Sequence, residues 1–234
     1  MKYDDLTIVL PTYNEEGNIG RIITKLMKLY GGVSIIVMDD GSRDSTGKVV
    51  MEFSRKTRNV VFVNRAGTGA EKGLTASAVD GILKAKTKYV VVMDADLQHP
   101  PEVIAKIVAG LRTGCRLVVA GRASVEGWEF HRKLISKSLI ILGHVSLILR
   151  NGETCKDIFS GYFGMERASA SAIIKRNRQR FVGSGYKVLF DILKCIPRGS
   201  EKVCDVPYAF NMRDSGESKA GSKQVIALLK SFIS

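Results

Sequence analysis

The chain has 234 residues, 45% of them hydrophobic and 25% charged, a globular composition with enough apolar material for a sizeable core. That balance excludes a collagen-like chain, a disordered tail and a disulfide-stapled miniprotein. Lys and Arg number 36 against 23 Asp and Glu, a formal charge of +13 that points to an anionic partner: phosphate ligands, an acidic membrane surface or nucleic acid.

The elements alternate along the chain. Leu6–Leu10, Ser34–Met38, Val60–Val63, Tyr89–Met93 and Leu117–Ala120 read as strands. Their runs are continuously apolar, as expected of parallel strands covered on both faces. Between the first two, Ile19, Ile22, Ile23, Leu26 and Leu29 recur at helical spacing, and Gly31-Gly32 stops that helix. Further helices are expected from Asp44-Ser45-Thr46 onward, over Thr75–Lys84, and over Glu102–Leu111 after Pro100-Pro101. This β-α order implies an α/β fold with a mostly parallel twisted sheet flanked by helices.

Beyond residue 120 the pattern changes. Lys133–Leu149 reads as an apolar helix, Phe159–Met165 and Lys202–Met212 as strands, and Gln224–Ile233 as an amphipathic helix. The simplest division is one unit, 1–234. Its first part, 1–120, carries the strand ends and holds 17 basic and 13 acidic residues. Its second, 121–234, holds 19 and 10. The longest nearly apolar stretch, Leu139–Leu149, falls short of the ~20 residues a membrane-crossing helix needs. The segment 133–149 is therefore expected either to lie in a membrane interface or to be a buried core helix.

The four cysteines, Cys115, Cys155, Cys195 and Cys204, show no CxxC spacing, and His99, His131 and His144 are not placed to complete a zinc set. Four reduced thiols are the expectation. Two phosphate-loop resemblances fail. Gly41 to Gly47-Lys48 has one residue too many and lacks the following Ser or Thr, and Gly67-Thr68-Gly69 with Gly73 is off by one from the dinucleotide pattern.

Chemistry concentrates at the strand ends, where ligands of open α/β sheets bind. The first strand ends in Pro11-Thr12-Tyr13-Asn14-Glu15, the second in Asp39-Asp40-Gly41-Ser42, and the fourth in Asp94-Ala95-Asp96. Each alone is readily a turn. Three on one edge point to a site. Asp94 and Asp96 repel one another unless a cation stands between them, and their hard oxygens suit Mg²⁺ or Mn²⁺ shared with substrate phosphates. Gln98 adds a neutral contact, whereas His99 is expected to pack against the Pro100-Pro101 turn. Arg122, Arg132, Ser136, Arg213 and Lys219 form a second constellation suited to phosphate. A nucleic-acid-binding module would explain the charge and nothing else, so nucleic acid is not an expected partner.

Together, Pro11-Thr12-Tyr13-Asn14-Glu15, Asp39-Asp40-Gly41-Ser42-Arg43-Asp44, Asp94-Ala95-Asp96-Leu97-Gln98-His99-Pro100-Pro101-Glu102 and Gly216-Glu217-Ser218-Lys219 resemble the polyprenol-phosphate (dolichol-phosphate) mannosyltransferases of glycosyltransferase family 2. Lys156-Asp157, Ser160-Gly161-Tyr162-Phe163 and Gly185-Tyr186-Lys187 fit as well. The resemblance implies a GT-A nucleotide-sugar-binding fold whose second part is an acceptor region. It implies GDP-mannose as donor, dolichol or polyprenol phosphate as acceptor, and inversion to a β-mannosyl product. UDP-glucose with the same acceptor stays open as the alternative.

The resemblance also assigns residues. Pro11, Tyr13, Glu15, Met38 and Asp40 would hold the guanosine. Asp94, Ala95, Asp96 and Gln98 would hold the Mg²⁺ or Mn²⁺ ion and the diphosphate. Arg122, Arg132, Ser136, Arg213 and Lys219 would face the transferring groups and the acceptor phosphate, with Asp96, Arg122, Arg132 and Arg213 catalytic. The implied location is peripheral, on the cytoplasmic face of a membrane (the endoplasmic reticulum in a eukaryote), with small membrane-anchoring subunits as further partners.

Overall fold

A computed structural model describes residues 2–69, 71–124, 130–185, 187–209, 231 and 232; at 123, 124 and 130–137 only the backbone is described. The expected β-α alternation is present. Strands β1 (Leu6–Thr12), β2 (Ser34–Asp39), β3 (Val60–Asn64) and β4 (Tyr89–Val92) alternate with helices α1 (Glu16–Leu29), α2 (Thr46–Lys56) and α3 (Leu74–Lys84). Helix α4 (Val103–Arg112) leads to β5 (Leu117–Ser124) and then to α5 (Phe130–Leu149). The rest is β6 (Phe163–Glu166), α6 (Arg167–Arg176), α7 (Val188–Leu193) and β7 (Val203–Ala209).

The seven strands form one sheet in the order β3-β2-β1-β4-β6-β5-β7. All pairings are parallel except those of β6, which runs antiparallel to β4 and β5. The sheet is buried on both sides, which explains the unbroken apolar runs. On one face Ile19, Ile22, Ile23 and Leu26 of α1 join Ile104, Ile107 and Val108 of α4 over Ile8, Leu10 and Ile35. On the other, Val79 and Ile82 of α3, Ile174 of α6, Leu189 and Ile192 of α7, and Leu147 of α5 cover Val9, Val90 and Val119. Each such aliphatic side chain contributes about 1.5–3 kcal/mol on burial.

Helix α1 stops where expected. Gly32 has φ +85°, and a Cβ there would fall 1.7 Å from Asp4 Oδ1, so no other residue fits without displacing that side chain. The Tyr30 hydroxyl then donates to Pro101 O at 2.7 Å and ties the end of α1 to the start of α4.

Two expectations need correction, and two helices went unforeseen. The strand expected at Phe159–Met165 begins only at Phe163, because 156–159 form a turn and the chain stays irregular to 162. Helices α6 and α7 were not foreseen. α6 is too polar to show a strong apolar stripe, and α7 is a single short, wholly buried run. The cysteines are not four thiols: Cys115 and Cys204 form a disulfide with Cα atoms 6.1 Å apart, while Cys155 and Cys195 are free. The two lie 89 residues apart, and the parallel pairing of β5 with β7, Leu117 opposite Val203, brings them together. Of the expected strand to Met212 and helix at 224–233, residues 210–230 and 233 lie outside the described residues, and Ser231 and Phe232 are helical.

Candidate active site

Because β2, β1 and β4 are neighbours and parallel, their carboxyl ends open on one rim, as the strand-end argument requires. Two loops on it are stitched together. Asn14 N donates to Ser42 Oγ at 2.8 Å, Arg43 N to Asn14 Oδ1 at 2.8 Å, and Glu15 N to Thr46 Oγ1 at 2.8 Å. Asn14 takes a positive φ of 52° to make this turn. Tyr13 stands out from it, 40% exposed, and the Glu15 carboxylate accepts from Asn18 Nδ2 at 2.9 Å. Pro11 is buried at the end of β1.

The adjacent aspartates divide their work. Asp39 is buried and accepts from Gly41 N, from Ser42 N and from the Ser42 hydroxyl, so it shapes the turn. Asp40 reaches the other way: Oδ1 takes Nη1 of Arg65 and Oδ2 takes Gly73 N at 2.8 Å. Arg65, at the end of β3 and only 6% exposed, also donates to Ser77 Oγ at 2.8 Å, Asp80 Oδ2 at 3.0 Å and Glu71 O at 2.6 Å. Met38 has its side chain wholly buried against the α3 side of the sheet, so only its backbone can face a ligand.

β4 ends at Val92, and 94–98 is a turn rather than extended strand, so alternate spacing does not set the two carboxylates side by side. Leu97 takes a left-handed φ of 63° within it. The Asp94 side chain is 41% exposed, while Asp96 is buried and accepts from Gln98 N at 3.1 Å. Ala95 is buried between them.

His99 is buried and stacks on Tyr162 with ring centroids 4.9 Å apart. Its Nδ1 accepts from Asp94 N at 3.2 Å, which leaves the proton on Nε2, 3.8 Å from Asp94 Oδ2. Burial holds its pKa below the ordinary value, with Asp94 and Asp96 opposing, so the ring is neutral at pH 7. His99 thus braces Asp94 instead of merely packing on the proline turn.

The turn at 157–161 gathers the remaining groups. Asp157 takes the Arg122 guanidinium in two parallel bonds, Nε to Oδ2 at 2.8 Å and Nη2 to Oδ1 at 3.1 Å. Burial pushes the Asp157 carboxyl up, but hydrogen bonding and charge from Arg122 outweigh it and hold it low; the same pair raises Arg122 against its own burial. Phe159 O accepts from Lys187 Nζ at 2.9 Å. Gly161 lies against Asp94, where a Cβ would fall 2.8 Å from Oδ2. Burial, with Arg122 beside it, lowers the Lys187 ammonium to about 8 despite Asp157 and Asp94.

Of the predicted residues, the rim therefore brings together Pro11, Tyr13, Glu15, Asp40, Asp94, Asp96, Gln98 and Arg122. Arg132 and Ser136 sit on the backbone of α5 with side chains outside the described residues, and Arg213 and Lys219 lie outside them entirely. Arg65, Asp157 and Lys187 went unassigned. Arg65 stands directly after a strand, a signal that the strand-end rule could have caught. Asp157 and Lys187 fall in matched motifs, but nothing local announces their partners.

The donor set suits a hard divalent cation. Asp94 and Asp96 offer carboxylate oxygens, and no group of three or more His, Cys, Asp or Glu occurs among the described residues. The protein would supply part of a coordination shell and substrate oxygens the rest, a pattern usual for Mg²⁺ and its analogues.

Comparison with known proteins identifies the family. Residues 7–174 match the family model Glycosyl transferase family 2. The chain is 34% identical over 231 residues to the dolichol-phosphate mannosyltransferase of Pyrococcus furiosus, covering 96% of this chain and 62% of that protein. It is 28% identical over 242 residues to that of Saccharomyces cerevisiae, covering 97% and 85%. The chain thus spans less than two thirds of the archaeal relative.

Among solved structures, glucosyl-3-phosphoglycerate synthase of Mycobacterium tuberculosis, in complex with Mn²⁺, UDP-glucose and phosphoglyceric acid, superposes with TM-score 0.64 at 19% identity, over 97% of this chain and 79% of that one. Mannosyl-3-phosphoglycerate synthase of Rubrobacter xylanophilus gives 0.62 at 18%, over 97% and 72%. These two speak for the fold alone. Fold and family match converge: the chain belongs to glycosyl transferase family 2, has the GT-A architecture, and resembles the dolichol-phosphate mannosyltransferases within that family.

Proposed function

We propose that the chain transfers mannose from GDP-mannose to the phosphate of dolichol or a related polyprenol, with inversion, giving a polyprenyl-phosphate β-mannose. The observation that carries this reading is the meeting, across the 157–161 turn, of the acidic end of β4 with the basic end of β5. The mannosyltransferase relatives support the choice of sugar and acceptor.

The nucleotide would lie over the stitched loops at 11–16 and 39–46, with Asp40 held by Arg65 to read N–H groups of the base. Asp94, Asp96 and Gln98 would hold a divalent cation, which when bound neutralises charge developing on a leaving diphosphate. His99 keeps the Asp94 backbone in place and carries no charge of its own. Arg122 faces the phosphate groups with its plane set by Asp157. Arg132, Ser136, Arg213 and Lys219 are proposed to complete the set.

A phosphate monoester acceptor is already anionic at neutral pH and needs no base. The site agrees: Asp157 is the carboxylate next to Arg122, and a lowered pKa makes it a poor proton acceptor. A single in-line attack on the anomeric carbon forms the new glycosyl–phosphate bond while the bond to the nucleotide diphosphate breaks, and the electron pair leaves with that diphosphate.

A polyprenol tail stays in the bilayer, so its phosphate must be met at the surface. On α5, Ile141, Leu142, Val145, Ile148 and Leu149 are exposed at helical spacing, while Leu147 is wholly buried. One side of the helix enters the core and the other exposes an apolar stripe, ending at Arg150, which supports the interfacial reading of this segment. No helix among the described residues is long and apolar enough to cross a membrane. Peripheral attachment at a cytoplasmic membrane face, aided by anchoring subunits, fits this stripe.

The test is incubation of the purified chain with GDP-mannose, Mn²⁺ and a short polyprenyl phosphate, followed by mass analysis of the lipid. A lipid gaining one hexose supports the reading. Hexose transfer from UDP-glucose but not GDP-mannose would reassign the donor, and no transfer from either would refute the activity.

A further inference from the structure

The large apolar side chains exposed among the described residues gather on one helix. Ile141, Leu142, Val145, Ile148 and Leu149 form the outer stripe of α5, whereas others, such as Met27, Met51 and Val61, are scattered over α1, α2 and β3. The chain around this stripe is acid-free. Residues 130–152, 167–190 and 192–200 contain no Asp or Glu. The carboxylates that interrupt these stretches are held inside or turned elsewhere. Glu153 is buried and accepts from Thr154 N at 2.9 Å and Gly199 N at 2.7 Å. Asp191 is buried and pairs with Lys194 Nζ at 2.9 Å, and Glu166 and Glu201 both meet Arg116.

Hydrogen bonds join the three stretches into one surface. Arg198 N donates to Asn151 O at 2.9 Å, which sets Arg198 beside the end of the α5 stripe. Lys194 Nζ donates to Arg180 O and to Ser231 O, each at 2.9 Å, and Ser146 Oγ of α5 donates to Phe232 O at 3.1 Å. Ile174 of α6 and Leu147 of α5 enter the same core, so the outer sides of both helices leave the sheet on the same face. Arg176 comes two positions after the buried Ile174 and so stands opposite it on the helix. Lys175, Arg176 and Arg198 are exposed there; Arg178 is exposed as well, with Asp80 Oδ1 at 3.4 Å from its Nη2.

An apolar helical stripe with cations at its margin and no exposed acid suits a helix lying in a negatively charged lipid interface. A second copy of the chain on the same face would set these cations against their own kind. RNA would call for aromatic stacking platforms, and the stripe is wholly aliphatic. We infer that this face docks on a bilayer surface bearing anionic phospholipid, with Ile141, Val145 and Ile148 entering the interface and Lys175, Arg176 and Arg198 meeting lipid headgroups around it. The inference rests on the interfacial reading of α5 and adds the charge of the lipid and the side chains that select it. It requires no part of the transfer chemistry.

Vesicle flotation tests it with two lipid compositions, phosphatidylcholine alone and an equimolar mixture with phosphatidylglycerol. The parent should partition at least about tenfold more strongly onto the mixture, an advantage that fades as salt is raised. Lys175→Gln, Arg176→Gln and Arg198→Gln combined should weaken binding to the mixture about 100-fold, about fivefold for each charge, with binding to phosphatidylcholine and melting temperature unchanged. Equal binding of the parent to both vesicles would keep α5 in the interface and overturn the inference. Flotation on neither would overturn the interfacial reading with it. Binding of the triple variant to the mixture within about threefold of the parent also overturns the inference. Without flotation, a dimer in solution would give the face to a second copy and salt-sensitive RNA binding would give it to nucleic acid; either result overturns the inference. Should the triple variant melt lower, the lipid and salt dependence of the parent decides alone. Flotation uses neither sugar nucleotide nor acceptor, so a chain that prefers the mixture but transfers no sugar upholds the inference and sinks only the transferase reading.

Discussion

Arg122 and Asp157 face each other across the end of β5 as a fork on a fork, Nε to Oδ2 and Nη2 to Oδ1, at 2.8 and 3.1 Å. The pair is mostly buried, with side chains 20% and 11% exposed. It fixes the guanidinium plane before any substrate arrives.

Removing one partner strands the other. Asp157→Asn is expected to destabilise the protein by about 3–5 kcal/mol, the usual cost of breaking a buried pair, and to cut activity by loosening Arg122. The pair also sets an acid limit. The folded carboxyl titrates below its unfolded value of about 3.9, so its contribution is whole above that pH and is lost as pH falls through the lower folded value. Urea melts of parent and Asp157→Asn from neutral pH downward check this: the stability difference should shrink only below about pH 4.

Asp94→Asn and Asp96→Asn should each abolish most turnover and weaken Mn²⁺-dependent nucleotide binding, with melting temperature little changed for the half-exposed Asp94. Calorimetry of GDP with and without Mn²⁺ reads this directly. Full metal-dependent activity in either variant would remove the rim from the mechanism.

Arg65→Met should raise the KM for the sugar nucleotide and leave the acceptor KM alone. Arg65 touches Asp40, Ser77, Asp80 and Glu71, all on the side proposed for the nucleotide. Steady-state kinetics with each substrate varied in turn distinguishes this from general loss.

The disulfide joins segments 89 residues apart at the starts of β5 and β7. Cys115→Ser or reduction is expected to cost about 2–5 kcal/mol, chiefly by freeing the unfolded chain. Chemical denaturation with and without reductant measures it; identical midpoints would show that no bridge forms in solution.

Ile141→Asp with Ile148→Asp should abolish liposome binding and slow transfer to a bilayer-borne acceptor, while sparing a detergent-solubilised one. Both side chains are more than half exposed, so folding should survive. Vesicle flotation reads the binding, and unchanged flotation would retire α5 as the membrane contact.

The sequence by itself determined the elements β1 to β5 and α1 to α4, because strand and helix periods are local and the apolar runs of a sheet buried on both faces are unmistakable. It also determined the acidic rim: parallel strands deliver their carboxyl ends to one edge wherever the side chains finally point. Only the tertiary structure decided which of Asp39 and Asp40 shapes a turn and which faces Arg65, since neighbours in a turn carry no local mark of direction. It alone placed β6 antiparallel between β4 and β5, paired Cys115 with Cys204, and brought Asp157, Phe159 and Gly161 against Arg122, Lys187 and Asp94. Those contacts depend on the register of strands far apart in the chain, and no period within a short window encodes such a register.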